Sequence, residues 1–454
     1  MAICRALYRY RTLSIIAGAV IGAASFYMPF SLFIMLIAAL IFVYAVMRDY
    51  RIGVYSAIAL MSVVPHVLWN NIYVVAIIFV SFASYLLFAA KNQKTLEIKT
   101  IDFALILFMI TVVIGFVTSA IPIASAKVFL FFLCAFAFTI LIIQMVKDKK
   151  QLERLLITIL LLSSAASLYG IWQAIIGVEV DLAQIDININ QGMPGRIFST
   201  MENSNNFAQY LLLVIPVGIC LMFNAHGLLR KSVFGALTLL PAACLGLTYS
   251  RSAWIGFAAA LGLLLLLKNR KLIPLYIVAG CIGFMLLPQS ILNRIYTIGN
   301  FRDTSIMYRV YIWSGALRML KQHWLNGIGI GAEVFSVVYS NFRDVKVTNA
   351  THAHMLLLEI WIELGIVGML SFAWMVGRAI KKALLHIFVA RDPYFNNILI
   401  AMIASVVGLM GAGAFEYAWF YPRIFFFFWV IIGIMFSALN LADKSEILEQ
   451  NVKA

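Results

Sequence analysis

Two histidines, His352 and His354, stand in the run NATHAHMLLLEIWIELGIVGML (349–370), where a long polar stretch gives way to an apolar one. An imidazole at such an edge can take a proton from a water-soluble substrate while a lipid-held one lies alongside. Thr348, Asn349 and Thr351 are good N-cap residues, so a helix is expected to begin near His354. The positive end of a helix favours neutral imidazole, the form that a general base requires. Glu359 and Glu363 follow four residues apart and share one face of that helix. They could orient the base or satisfy polar groups among packed helices. Ionisable groups inside a membrane span are costly and point to function. Either histidine, His352 or His354, is a candidate base on these grounds, with Glu359 and Glu363 in support. The competing account makes the histidines interfacial groups that bond headgroups or loop backbone.

Three arginines carry the second half of the chemistry. Arg196 lies in GRIFSTMENSNNFAQYL, Arg251 in TYSRSAWIGF and Arg309 in MYRVYIWSGAL. All three fall on the side of the membrane that the positive-inside trend leaves poor in arginine. Guanidinium offers a planar donor fork matched to phosphate oxygens, so together they could hold a pyrophosphate. Headgroup anchoring is the simpler account of each taken singly. The segment NGIGIGAEVF (326–335) lacks the Lys-Ser/Thr and the βαβ setting of a nucleotide loop and is expected to be a tight turn. There is no P-loop, HExxH, GxSxG or paired acidic metal motif, and Asp186 with Asn188 is only a weak approach to one. The five cysteines are scattered without CxxC spacing. The chemistry is therefore expected to rest on arginine and histidine, with no metal and no cofactor.

The elements that must position these groups are membrane helices. Of 454 residues, 63% are hydrophobic and only 12% charged, more apolar surface than a water-soluble core absorbs. The fold class expected is all-α, a polytopic transmembrane bundle. Spans are expected near 12–28, 30–47, 52–68, 72–90, 101–119, 128–146, 154–177, 206–224, 233–249, 253–267, 272–288, 354–376, 395–413 and 424–440. That makes about fourteen, or twelve if one short pair is re-entrant. Arg5, Arg9 and Arg11 precede the first run, which reads as a retained anchor. The net charge of +15 sits mainly in short clusters between apolar runs, which points to topology and membrane lipids rather than nucleic acid. With both termini in the cytoplasm, the inner segments take most of the lysines, including Lys91, Lys147, Lys268 and Lys381. Two outer segments, 178–205 and 289–353, are too long for turns. In the second, Ile306, Val310, Trp313, Leu317, Leu320 and Trp324 recur at helical intervals, predicting an amphipathic helix on the outer surface. Residues 1–454 read as one membrane domain with an outer loop cap.

The same residues resemble the O-antigen ligase and polymerase superfamily of bacterial cell-envelope glycosyltransferases over roughly 190–440. The ligase signature is a histidine, a small polar residue, nine residues, then GxxG. Here it reads His354, Met355, Leu356 to Leu364, then Gly365 and Gly368, with Met355 replacing the polar residue. Arg196, Arg251 and Arg309 fall where the family keeps arginines. The resemblance implies a GT-C-like, metal-independent, inverting transferase of the cytoplasmic (inner) membrane with an extracytoplasmic active site. Its donor would be a glycan on undecaprenyl pyrophosphate and its acceptor a sugar hydroxyl on a lipid- or glycan-bearing partner. Joining lipid-linked repeat units, as a polymerase does, is the near alternative. A lipid flippase or secondary transporter is the rival from another class; it would scatter the charges along a two-sided path instead of gathering them in one outer cavity.

Overall fold

The computed structural model describes residues 18, 22, 29–93, 102–180, 194–285, 287–299, 303–389 and 392–453. The expected span at 12–28 lies outside these, save Gly18 and Gly22, as do Asp186 and Asn188. The described chain is helical, without strands. It runs α1 (Phe30–Arg48), α2 (Tyr50–Val63), α3 (Asn71–Lys91), α4 (Phe103–Val117), α5 (Pro122–Met145), α6 (Lys149–Ile176), α7 (Ser204–Asn224) and α8 (Leu228–Leu247). It continues as α9 (Arg251–Asn269), α10 (Ile273–Met285), α11 (Gln289–Tyr296), α12 (Thr304–His323), α13 (Ala332–Tyr339), α14 (Leu356–Val389), α15 (Pro393–Gly413) and α16 (Pro422–Lys453).

Among the described residues, ten helices are long and apolar enough to cross a membrane. The bent pair α10–α11, turning through 109°, would make eleven, and α2 and α4 are shorter apolar helices. Each described span expected from hydropathy has a helix, and this is a multi-pass membrane protein. Burial sorts the helices: the apolar part of α16 is 94% buried and that of α1 only 6%. α7, α15 and α16 form the centre. Gly256 of α9 packs so closely on α15 that a Cβ there would collide with the Gly408 carbonyl. That small-residue seam sets the depth of α9, whose first residue is Arg251.

Two backbone devices shape the cap end, where α11–α13 and the loops 194–203 and 414–421 gather. α14 is broken at Gly365 (φ 71°). The groups freed by the break are bonded to the turn at 324–326 and to the GIGIG segment (327–331) that follows it, whose glycines have positive φ. Ile366 N–H donates to the Trp324 carbonyl at 2.9 Å, Ile328 N–H to Ile362 at 2.9 Å and Gly329 N–H to Glu363 at 3.1 Å. The segment is thus more than the tight turn expected of it. A Cβ at Gly365 would fall on the Leu325 carbonyl. Gly365→Ala is expected to lower the thermal unfolding temperature of the purified protein, since its backbone (φ 71°, ψ −179°), essentially reserved for glycine, alone costs about 1–3 kcal/mol in another residue. Gly377→Ala, where nothing lies within 4 Å, is the matched control and should not lower it.

The expected amphipathic helix exists as α12, but its buried face is different. Ile312, Ala316, Met319 and Leu320 are buried, while Leu317 and Trp324 are exposed. The buried face packs with Val334, Phe335 and Tyr339 of α13 and with Leu358 and Ile362 of α14. A compact protein cluster takes that face, and only Leu317 and Trp324 of the expected stripe are left exposed.

Candidate active site

One cavity of about 660 Å³ at the cap end is lined by Arg196, Arg251, Arg309, His352 and His354. The structure thus brings together the arginines and histidines singled out in the sequence. It adds Arg294 and Glu416 to the same wall. Nothing in the spacing singles out Glu416, which stands in the aromatic stretch AFEYAWFYPR, 62 residues from His354. The available signal is an isolated carboxylate in a short loop between two spans.

Each cation is held by the protein while still reaching the cavity. The Nε of Arg196, in the loop before α7, donates to the Thr248 carbonyl at 2.8 Å and its Nη2 to Asn205 Oδ1 at 2.6 Å. Arg251 Nη1 donates to Asp303 Oδ2 at 2.8 Å and to the Thr297 carbonyl at 3.1 Å. Arg294 approaches the same Asp303 oxygen at 3.9 Å. Burial would raise the Asp303 pKa, but the hydrogen bond and charge of Arg251, with Arg294 behind it, hold it below the usual carboxylate value. Four guanidinium groups face two carboxylates, Asp303 and Glu416, so the wall keeps an excess of positive charge.

Glu416 joins the two halves of the site. Its Oε2 accepts from Arg309 Nη2 at 2.7 Å and its Oε1 lies 3.0 Å from His354 Nδ1. Burial would raise the Glu416 pKa, but the Arg309 charge and the His354 hydrogen bond bring it down to about 2. An ionised carboxylate can only accept, so Nδ1 of His354 carries the hydrogen, and in the neutral ring that leaves the lone pair on Nε2. The aromatic core anchors the loop: Trp419 packs on Phe372, Phe425 and Phe428 with ring centroids 5.0–5.3 Å apart.

The histidine loop corrects one expectation. α14 begins at Leu356, so both histidines precede the helix instead of occupying its first turn. His354 is left-handed (φ 50°), and so are Ser199 (φ 53°) and Tyr249 (φ 51°). These three non-glycine residues lie on the three segments that present His354, Arg196 and Arg251, and such strain tends to gather at functional sites. Glu359 Oε2 accepts from Ala353 N–H, between the histidines, at 2.5 Å. Glu363 Oε1 accepts from Gly331 N–H at 2.8 Å, and its Oε2 from Tyr417 O–H at 3.3 Å. Both glutamates hold backbone or a neighbouring tyrosine, and neither lines this cavity.

His352 is buried, its ring 4.1 Å from that of His354 and 4.3 Å from that of Phe420. Burial, then the neighbouring His354, pushes its pKa down to about 3. In the unfolded chain a histidine gains its proton near about 6.5. Stability linked to His352 is therefore fully present above that pH and falls as the solution is acidified towards 3. Glu416 adds nothing to this loss until the pH drops below about 4.3. Between about pH 7 and 4.5 the unfolding temperature of His352→Gln is expected to change less unfavourably than that of wild type.

Ligand atoms of His352, His354 and Glu416 lie within 4.8 Å of one another, a spacing that an ion could bridge. Arg309 already covers the second Glu416 oxygen, and the surrounding guanidinium groups oppose a cation.

No curated protein matches the chain. The family described as O-Antigen ligase matches residues 236–373. That segment holds Arg251, Arg294, Arg309 and both histidines, while Arg196 and Glu416 fall outside it. That match covers less than half of the chain; over it the chain is similar to the O-antigen ligase family, a likeness that points to glycan transfer of the ligase or polymerase type.

Proposed function

We propose that the protein transfers a glycan from undecaprenyl pyrophosphate to an acceptor sugar hydroxyl at the extracytoplasmic face of the cytoplasmic membrane, as a ligase does. The observation that carries this reading is the meeting of Arg196, Arg251, Arg309 and His354 in one cavity, with His354 held by Glu416. The acceptor hydroxyl gives its proton to His354 Nε2 as its oxygen attacks the anomeric carbon. The bond from that carbon to the phosphate oxygen breaks, and its electron pair leaves with the lipid pyrophosphate. Arg196, Arg251 and Arg309, with Arg294, meet the charge that gathers on the leaving group. A single displacement inverts the anomeric centre. Glu416 fixes the tautomer of the base; Glu359 and Glu363 position the loops around it.

The guanidinium groups supply the charge that a metal would otherwise provide, so the reaction is expected to survive EDTA. Loss on chelation, restored by a divalent ion, would place that ion at His352, His354 and Glu416 instead. Gathering of the charged groups at one end of the bundle favours a transferase over a transporter. The break in α14 is filled by backbone from 324–329. The test is purified protein in nanodiscs with a defined undecaprenyl-pyrophosphate glycan and candidate acceptors. Wild type should form product of inverted configuration, and Arg251→Glu should lose donor binding. Unaltered donor binding in that variant would remove the pyrophosphate role.

A further inference from the structure

A second cavity, of about 360 Å³, lies against the first and shares Tyr421 with it. The partition is thin: the Phe420 ring, which lines the second cavity, lies 4.3 Å from the His352 ring, which lines the first. The two differ sharply in chemistry. Where the first presents four guanidinium groups, the second presents the carboxylates of Glu202, Glu333 and Glu363 against a single cation, Lys127. Glu363 is occupied by Gly331 and Tyr417, but Glu202 and Glu333 are exposed at the rim. The walls between are aromatic, with Phe131, Phe420 and Phe425 among them. Trp419 also lines this cavity; it is only 5% exposed, and among the described residues its Nε1–H has no acceptor. A buried indole N–H ordinarily has one.

We propose that this second cavity holds the acceptor as an uncharged saccharide, an inference that rests on the transferase reading of the first cavity. An occupant would donate hydrogen bonds to the exposed carboxylates, accept one from the buried indole, and offer apolar faces to aromatic rings. A sugar residue without phosphate does all three, because its hydroxyls are donors and acceptors at once and its C–H faces are apolar. A phosphorylated sugar would meet carboxylates of its own sign, and a bare lipid chain would leave the indole N–H unanswered. The shared Tyr421 and the thin His352–Phe420 contact let an acceptor seated here reach the first cavity across one layer of side chains.

Glu333→Gln removes a rim charge from an exposed position without changing its shape. Trp419→Phe removes the N–H and keeps an aromatic ring. Ala332→Trp fills the cavity without touching the arginines. In the cell of origin, Ala332→Trp is expected to lower attachment of surface polysaccharide at least tenfold at equal protein level, while the purified variant still binds undecaprenyl pyrophosphate. In purified wild type, uncharged oligosaccharides such as maltotriose and chitotriose should give saturation-transfer signals, and glucose 6-phosphate should not. Glu333→Gln and Trp419→Phe should each weaken that binding about tenfold, the scale of a hydrogen bond to a charged or buried group. Unchanged polysaccharide in Ala332→Trp, saccharide binding indifferent to Glu333→Gln, equal binding of the phosphosugar, or absence of any saccharide signal would each overturn the acceptor assignment. Loss of donor binding in Ala332→Trp would overturn it too, since the two cavities would then not be separable. Donor binding that survives Arg251→Glu would instead bring down the reading of the first cavity.

Discussion

Replacing His354 with alanine is expected to lower glycan transfer by about 10²–10⁴, the usual worth of a positioned general base. The expectation follows from two contacts. Glu416 fixes Nδ1 as the protonated nitrogen at 3.0 Å, leaving Nε2 to receive the acceptor proton. Glu359 bonds Ala353 N–H and so holds the backbone on which the left-handed His354 sits. Donor binding should survive, because Arg196 and Arg251 are anchored by Thr248, Asn205, Thr297 and Asp303 without reference to the histidine. The decisive measurement is single-turnover transfer beside donor affinity in the same preparation. Equal transfer by variant and wild type would end the proposed role of His354. Tighter resolution comes from the neighbour: His352→Gln should cost far less, since a ring pushed down to about 3 by burial exchanges no proton near neutral pH.

Hydropathy made the spans legible because length and apolarity are local properties of the chain. The helices lie where the apolar runs are, from Phe30–Arg48 to Pro422–Lys453. His354 and the three arginines were legible for another reason: cations and imidazoles at the edges of apolar runs are conspicuous. Their convergence was not, because it depends on how α7, α9, α12 and α14 pack, and no spacing encodes that. Periodicity misplaced the buried face of α12, since Leu317 and Trp324 continue the apolar repeat yet the neighbouring α13 takes the Ile312–Ala316–Met319 side. The start of α14 was placed two residues early, because the polar residues before it build an irregular histidine loop instead of an N-cap. GIGIG offered glycines without a purpose. Only the broken α14 explains them, as the segment that bonds the freed backbone around Gly365.

Glu416 is the residue on which the site most depends and which its sequence setting least announces. Glu416→Gln is expected to lower transfer by about 10²–10⁴, close to the loss from removing the histidine itself. The amide keeps the size of the side chain but carries no charge, and its –NH₂ can turn towards His354 Nδ1. That nitrogen would then accept, the hydrogen would move to Nε2, and the base would face the acceptor with nothing to receive a proton. Arg309 would also lose the carboxylate that it meets at 2.7 Å. Because Glu416 acts through His354, the effects should not add: the double variant His354→Ala, Glu416→Gln should transfer no more slowly than His354→Ala alone. A purely structural role predicts the opposite, with losses that multiply and a donor affinity that falls in step. Glu416→Asp, which keeps the charge but shortens the reach, should recover part of the activity only if the carboxylate still meets Nδ1. Donor affinity unchanged in Glu416→Gln, together with collapsed single-turnover transfer, would locate its role in the protonation of His354 and not in holding the cap together.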